Sequence, residues 1–164
     1  MKKCAAFLLA LVCAAGLFGC AGRQPEYPEY VEPDFTRQPA TVTASYSDVE
    51  GISVQADGVY VHPDKTTLVV SWNNRTDYPV TYGESFEIER LENGEWVDCA
   101  LGENVFHMIG YLLPANKSVN KEYTLTDMYD ISTPGTYRFL STCSVEMEGE
   151  YPKTCALWSE FTVE

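Results

Sequence analysis

Asn93-Gly94, set between Leu91-Glu92 and Glu95-Trp96-Val97, constrains the fold of this chain more than any other short stretch. A two-residue type I′ turn needs φ > 0 at both central positions, and Asn-Gly meets that need at the least steric cost. The turn predicts a hairpin in which Leu91 faces Trp96 and Glu92 faces Glu95. Two like charges opposite each other are tolerated only where water screens them, so this end of the hairpin is expected in solvent.

The same period of two runs through the rest of the C-terminal part. Leu68, Val70 and Trp72 share one face of a strand, and Phe86 and Ile88 alternate with Glu87 and Glu89. Val119, Tyr123 and Leu125 fall on one side of a later strand. Tyr137 and Phe139 do so in Thr136 to Cys143, and Leu157, Phe161 and Val163 in Cys155 to Val163. Earlier strands are expected at Ile52 to Ala56 and Val59 to Val61. Leu113-Pro114-Ala115-Asn116 reads as a turn, and Asp127-Met128-Tyr129-Asp130 as at most one short turn of helix. No amphipathic stretch of ten residues supports a longer helix. Seven or eight short strands separated by turn signals predict an all-β, antiparallel sandwich or barrel.

Trp72-Asn73-Asn74, Tyr82-Gly83, Phe86, Ile88, Asn93-Gly94 with Trp96, Leu113-Pro114, Gly135-Thr136-Tyr137-Arg138 and Glu160-Phe161 occur in an order similar to a bacterial immunoglobulin-like domain of Gram-positive lipoproteins. The resemblance runs from about Ile52 to the end. It implies an immunoglobulin-like β-sandwich and carries no assigned catalytic residue. Antibody-type domains bridge their sheets with a disulfide and place a tyrosine two residues before the second cysteine. Here Phe139 stands where that cysteine would be, so Tyr137 is expected to act as the corner tyrosine while an apolar cluster replaces the bridge.

The N-terminus carries a different signal. Lys2 and Lys3 precede fourteen uncharged, mainly apolar residues, Ala5 to Phe18. That run is shorter than the ~20 residues a membrane-spanning helix needs, and it has the layout of a secretory signal. Leu17-Phe18-Gly19-Cys20 resembles the lipobox of bacterial lipoproteins. The resemblance implies cleavage after Gly19, lipidation of the Cys20 thiol, and attachment to the extracytoplasmic face of the cell membrane. Residues 1–19 are thus read as a lipoprotein signal peptide. Residues 20–48, with Pro25, Pro28, Pro33 and Pro39 among acidic residues, are read as a disordered tether. Residues 49–164 are read as the sandwich domain. Loss of Lys2 and Lys3 leaves nine Lys and Arg against 24 Asp and Glu, a formal charge of −15. Such a surface repels nucleic acid, so membrane contact is expected through lipid alone.

Three thiols remain in the domain: Cys99, Cys143 and Cys155. Gly149 lies midway between the last two, and both share the parity of apolar neighbours. A hairpin folded about Glu148-Gly149-Glu150 would set them opposite each other, so a Cys143–Cys155 disulfide is expected. The alternatives are three reduced thiols or a bridge from Cys99. His62 and His107 are the only histidines, and neither has metal-ligand spacing or a thiol-protease context. No nucleophile elbow, phosphate loop or Cys-x-x-Cys is present. Asn74-Arg75-Thr76 and Asn116-Lys117-Ser118 match a glycosylation sequon that a bacterial lipoprotein does not ordinarily use. No cofactor, metal or catalytic group is expected. The expected function is non-catalytic binding or scaffolding of an unknown protein or cell-envelope ligand. The first candidate loop is the acidic hairpin with Glu146, Glu148, Glu150 and Tyr151. Phe106-His107-Met108-Ile109-Gly110-Tyr111 is the second. Tyr78, Tyr82 and Tyr151, beside turns, are the tyrosines most expected to serve binding. The alternative function is a proteinase inhibitor presenting a rigid hairpin loop.

Overall fold

In the computed structural model, which describes residues 36–38, 41–147, 149 and 151–164, alternation of apolar side chains builds two antiparallel sheets. In chain order the strands are β1 (Thr36–Gln38), β2 (Thr41–Ser47), β3 (Ile52–His62), β4 (Lys65–Asn74) and β5 (Val80–Glu92). They continue with β6 (Glu95–Asp98), β7 (Tyr111–Leu113), β8 (Lys117–Thr124), β9 (Gly135–Val145) and β10 (Lys153–Val163). One sheet runs β1-β3-β4-β8. The other runs β2-β10-β9-β5-β6, with β7 also paired to β5. The chain crosses between sheets from β4 to β5, returns as β8 beside β4, and crosses again to β9 beside β5. This is a Greek key of the immunoglobulin type. No helix occurs among the described residues, and 127–130 forms only a hydrogen-bonded turn off the Leu125 carbonyl.

The β5–β6 hairpin has the predicted register, with Leu91 opposite Trp96 and Glu92 opposite Glu95. Asn93 (φ 52°) and Gly94 (φ 89°) both occupy the left-handed region that the type I′ turn requires. The two early strands are one strand, β3, carrying a bulge at Asp57 between the pairs Ala56–Val70 and Gly58–Val69. One extra residue reverses the alternation. Ile52, Val54 and Ala56 face the core before the bulge and Val59 after it, so the sequence reads as two strands of opposite parity.

Strands β1 and β2 lie within the segment read as tether, and the sheets therefore begin before residue 48. The reason the pattern was silent is visible in β2: none of its residues is fully buried. It is held by its main-chain ladder to β10 and by Tyr46 stacked on Trp158 at 5.8 Å. Cys20, Glu148 and Glu150 lie outside the described residues.

Between the sheets, Trp72 stacks on Tyr82 (4.4 Å), and its indole N–H donates to the Tyr123 hydroxyl at 3.0 Å. Phe139 packs on Phe86 (5.7 Å) and Tyr123 (4.9 Å), so an aromatic cluster occupies the place of an inter-sheet disulfide. Tyr137 stacks on Phe161 and donates its hydroxyl to the Thr133 carbonyl four residues upstream, as a corner tyrosine does. Val119 keeps the parity of Tyr123 and pairs with the buried Trp72, yet it is 38% exposed.

Candidate functional site

Strand β5 positions the first candidate surface. Tyr82 pairs with Cys143 and Phe86 with Ser141, so three residues on β5 stand against one on β9 between these pairs. The slack is a bulge at Gly83, Glu84 and Ser85, held by a hydrogen bond from the Ser141 hydroxyl to the Ser85 carbonyl at 2.9 Å. Alongside this bulge runs residues 105–112. Phe106 anchors one end against Phe86 (5.4 Å) and Tyr111 the other against Tyr82 (5.5 Å). Between and beside these anchors the apolar side chains turn outward: Val105 is 90% exposed, Met108 fully exposed, and Leu112 67% exposed. The thirteen residues Asn104 to Asn116 contain no charged side chain, on a chain whose formal charge is −13.

Beneath this strap lies a cleft of about 230 Å³, lined by Glu84, Phe86, Phe106, Lys121, Tyr123 and Met128 among others. Lys121 has the same parity as Tyr123 and so reaches inward from β8. Its ammonium sits 3.8 Å from the Tyr111 ring centre and 3.8 Å from the Glu84 carboxylate. Glu84 also accepts the Tyr111 hydroxyl at 2.5 Å. Burial holds the Lys121 pKa below its ordinary value against the opposing pull of Glu84. These groups satisfy one another and lock the strap to β8.

The second candidate surface is the β9–β10 hairpin. The ladder closes at Val145–Lys153, leaving residues 146–152 as its tip. Glu146 and Gly149 are exposed, and Tyr151 is 95% exposed. Tyr78 is also exposed, whereas Tyr82 is buried against Trp72 and serves the core. The strap and the hairpin meet at the start of β5, where Val80 pairs with Leu113 on one side and Val145 on the other.

Below the hairpin tip, Cys143 and Cys155 are direct cross-strand partners, both buried and both unbridged. Burial raises both thiols above their ordinary pKa. Cys99 stands apart, beyond β6, and burial pushes its thiol up to about 11, which makes it a weak nucleophile near neutral pH. No group of His, Cys, Asp and Glu among the described residues has a metal-holding arrangement. Asp130 caps a local turn, accepting from the Ser132 N–H (2.9 Å) and hydroxyl (2.6 Å).

Sequence reasoning missed the structural weight of Asn74. Its side chain is 1% exposed, and its amide N–H groups donate to the carbonyls of Tyr78 (2.8 Å), Pro114 (3.1 Å) and Leu113 (3.3 Å). A sequon asparagine committed in this way has no amide nitrogen to offer a glycan.

Two antiparallel sheets joined by this Greek key, with an aromatic core and a corner tyrosine, define an immunoglobulin-type β-sandwich. The chain belongs to the bacterial Ig-like domain family, whose sequence model matches residues 48–161. Domains of this family are usually extracellular and typically non-enzymatic. A crystal structure of a protein from Archaeoglobus fulgidus is similar at 13% identity, covering 76% of this chain and 98% of that one, with a TM-score of 0.33. That likeness is too distant to carry any property across. No curated protein matches the sequence.

Proposed function

We propose that this protein is a lipid-anchored, extracytoplasmic Ig-like module that binds a protein partner without catalysis, using the 105–112 strap as its contact surface. The observation that supports this reading is the strap itself. Val105, Met108 and Leu112 point outward from a segment pinned at both ends by buried or half-buried aromatics. Holding apolar side chains in water costs stability, and a rigid uncharged strip on an acidic surface is suited to docking an apolar protein face. Polyanionic envelope polymers are disfavoured by the same acidic surroundings. Lipidation of Cys20 would hold this surface at the membrane exterior, with the residues after it serving as a spacer.

The test is cross-linking in intact cells, comparing the natural chain with a Val105→Asp/Met108→Asp variant and with a deletion of residues 146–151. The strap reading expects partner capture to fall at least tenfold in the first and to persist in the second. Equal capture by the natural and strap variants refutes it. Anchoring is tested separately: radiolabelled palmitate should enter the natural chain and not a Cys20→Ser variant. A second reading, proteinase inhibition, draws support from Tyr151 standing exposed on a tip directly above the paired cysteines. Titration against a protease panel without stoichiometric loss of activity removes it.

A further inference from the structure

We propose that Cys143 and Cys155 are a dedicated cross-linking site, which a small-molecule or protein disulfide converts to a cross-strand disulfide in the folded domain. The inference is independent of the binding reading above. The two residues are direct partners in the β9–β10 ladder. The type of pair follows from the next residue. The Ala156 carbonyl accepts the Asp48 N–H at 3.3 Å, and the Ala156 N–H donates to the Asp48 carboxylate at 3.1 Å. Ala156 therefore turns its peptide groups toward β2, and Cys155, one residue earlier, turns its own toward β9. That makes Cys143–Cys155 a hydrogen-bonded ladder pair, with a Cα separation of about 5.5 Å. Disulfides form across Cα distances of about 4.4–6.8 Å, and this pair falls inside that range.

Cys99 cannot compete. Its N–H donates to the Ile88 carbonyl at 3.0 Å, and Ile88 pairs with Phe139. Phe139 lies four residues from Cys143 along β9, about 13 Å at strand rise. That exceeds the ~7 Å beyond which two cysteines cannot be bridged without moving the chain.

The surroundings keep the reduced pair quiet until an oxidant arrives. Cys155 lies 3.5 Å from the Ser47 hydroxyl, and burial raises its thiol above the ordinary pKa. In the reaction one thiol loses its proton to solvent, attacks the oxidant disulfide and expels a thiolate, leaving a mixed disulfide. The second cysteine, also deprotonated, attacks the protein sulfur of that bond and expels the second thiolate. Two protein thiols are oxidised, and one disulfide is reduced to two thiols. The product ties the strands at the base of the 146–152 tip.

The experiment incubates the full chain with oxidised glutathione, both folded and during refolding from urea, then traps remaining thiols with N-ethylmaleimide at acid pH. Trypsin cuts after Arg138 and Lys153, which places Cys143 and Cys155 on separate peptides, 139–153 and 154–164. The expected result is those two peptides joined, separating on reduction, with Cys99 alkylated. The joined form should show an unfolding equilibrium constant lower by roughly 100-fold. Refolding gives the oxidant access before the strands close. Recovery of the two peptides unlinked after refolding, or either one joined to the Cys99 peptide, overturns the proposal.

Discussion

Replacing Asn74 tests the junction that holds the strap's C-terminal end in place. Its Nδ2 faces the carbonyls of Tyr78, Leu113 and Pro114, and its Oδ1 accepts from the Thr76 N–H (3.0 Å) and hydroxyl (2.7 Å). Donors on one side and acceptors on the other fix the orientation of the amide. Asn74→Ala leaves the buried Leu113 contact without a donor, at about 1–3 kcal/mol, and removes the partly buried contacts at about half that each. The expected loss is about 3 kcal/mol, independent of pH. Asn74→Asp sets an oxygen against three carbonyls. Ionised, it costs more than alanine, so the folded state raises its pKa. A raised carboxyl pKa means the folded state binds the extra proton, so stability falls as pH rises from about 3.9 toward the folded value, by up to ~1.4 kcal/mol per pH unit. Near pH 4 the aspartate variant should therefore resemble the alanine variant, and by pH 7 it should be clearly worse. Urea unfolding followed by tryptophan fluorescence measures both, since Trp72 is fully buried. An aspartate variant with the same urea midpoint at pH 4 and pH 7 relative to the natural chain, or an alanine variant losing under ~1 kcal/mol, refutes the reasoning.

Three further outcomes are expected. Tyr137→Phe keeps the ring stacked on Phe161 but removes the bond to the Thr133 carbonyl, and should lower stability by about 1 kcal/mol in urea unfolding; an unchanged midpoint would discount the corner. In the reduced protein, donation from the Cys155 thiol first, then the Ala156 and Asp48 N–H groups and the charge of Lys153, hold Asp48 below its ordinary pKa of 3.8. A depressed carboxyl pKa stabilises above the ordinary value, and that contribution is lost as pH falls through the folded one. Asp48→Asn should accordingly be less stable than the natural chain at pH 6, with the difference closing below about pH 3.8; a constant difference from pH 6 to pH 2 counts against it. Cys99, with its thiol pushed up to about 11, should react with iodoacetamide at a rate that still climbs above pH 9 in the folded chain, whereas urea-unfolded chain levels off near pH 9; coincident profiles would show Cys99 unburied.

Local chemistry was enough to determine much of this protein. Asn93-Gly94 set the β5–β6 register because only one turn type suits both residues, and the alternation in β4, β9 and β10 named the core faces because side chains in a strand alternate strictly. The parity of Cys143 and Cys155 placed both on one face for the same reason. What the sequence could not express is anything that depends on a neighbour distant along the chain. β2 is held by main-chain bonds to β10, which leave no mark on side-chain pattern. The bulge that joins the two early segments into one strand β3, and the two extra residues in β5 that leave its parity unchanged, are defined only against a partner strand. Tyr82 is buried and Met108 exposed although both sit in apolar stretches, because burial depends on whether an opposing surface is present: Trp72 covers Tyr82, and among the described residues nothing covers Met108.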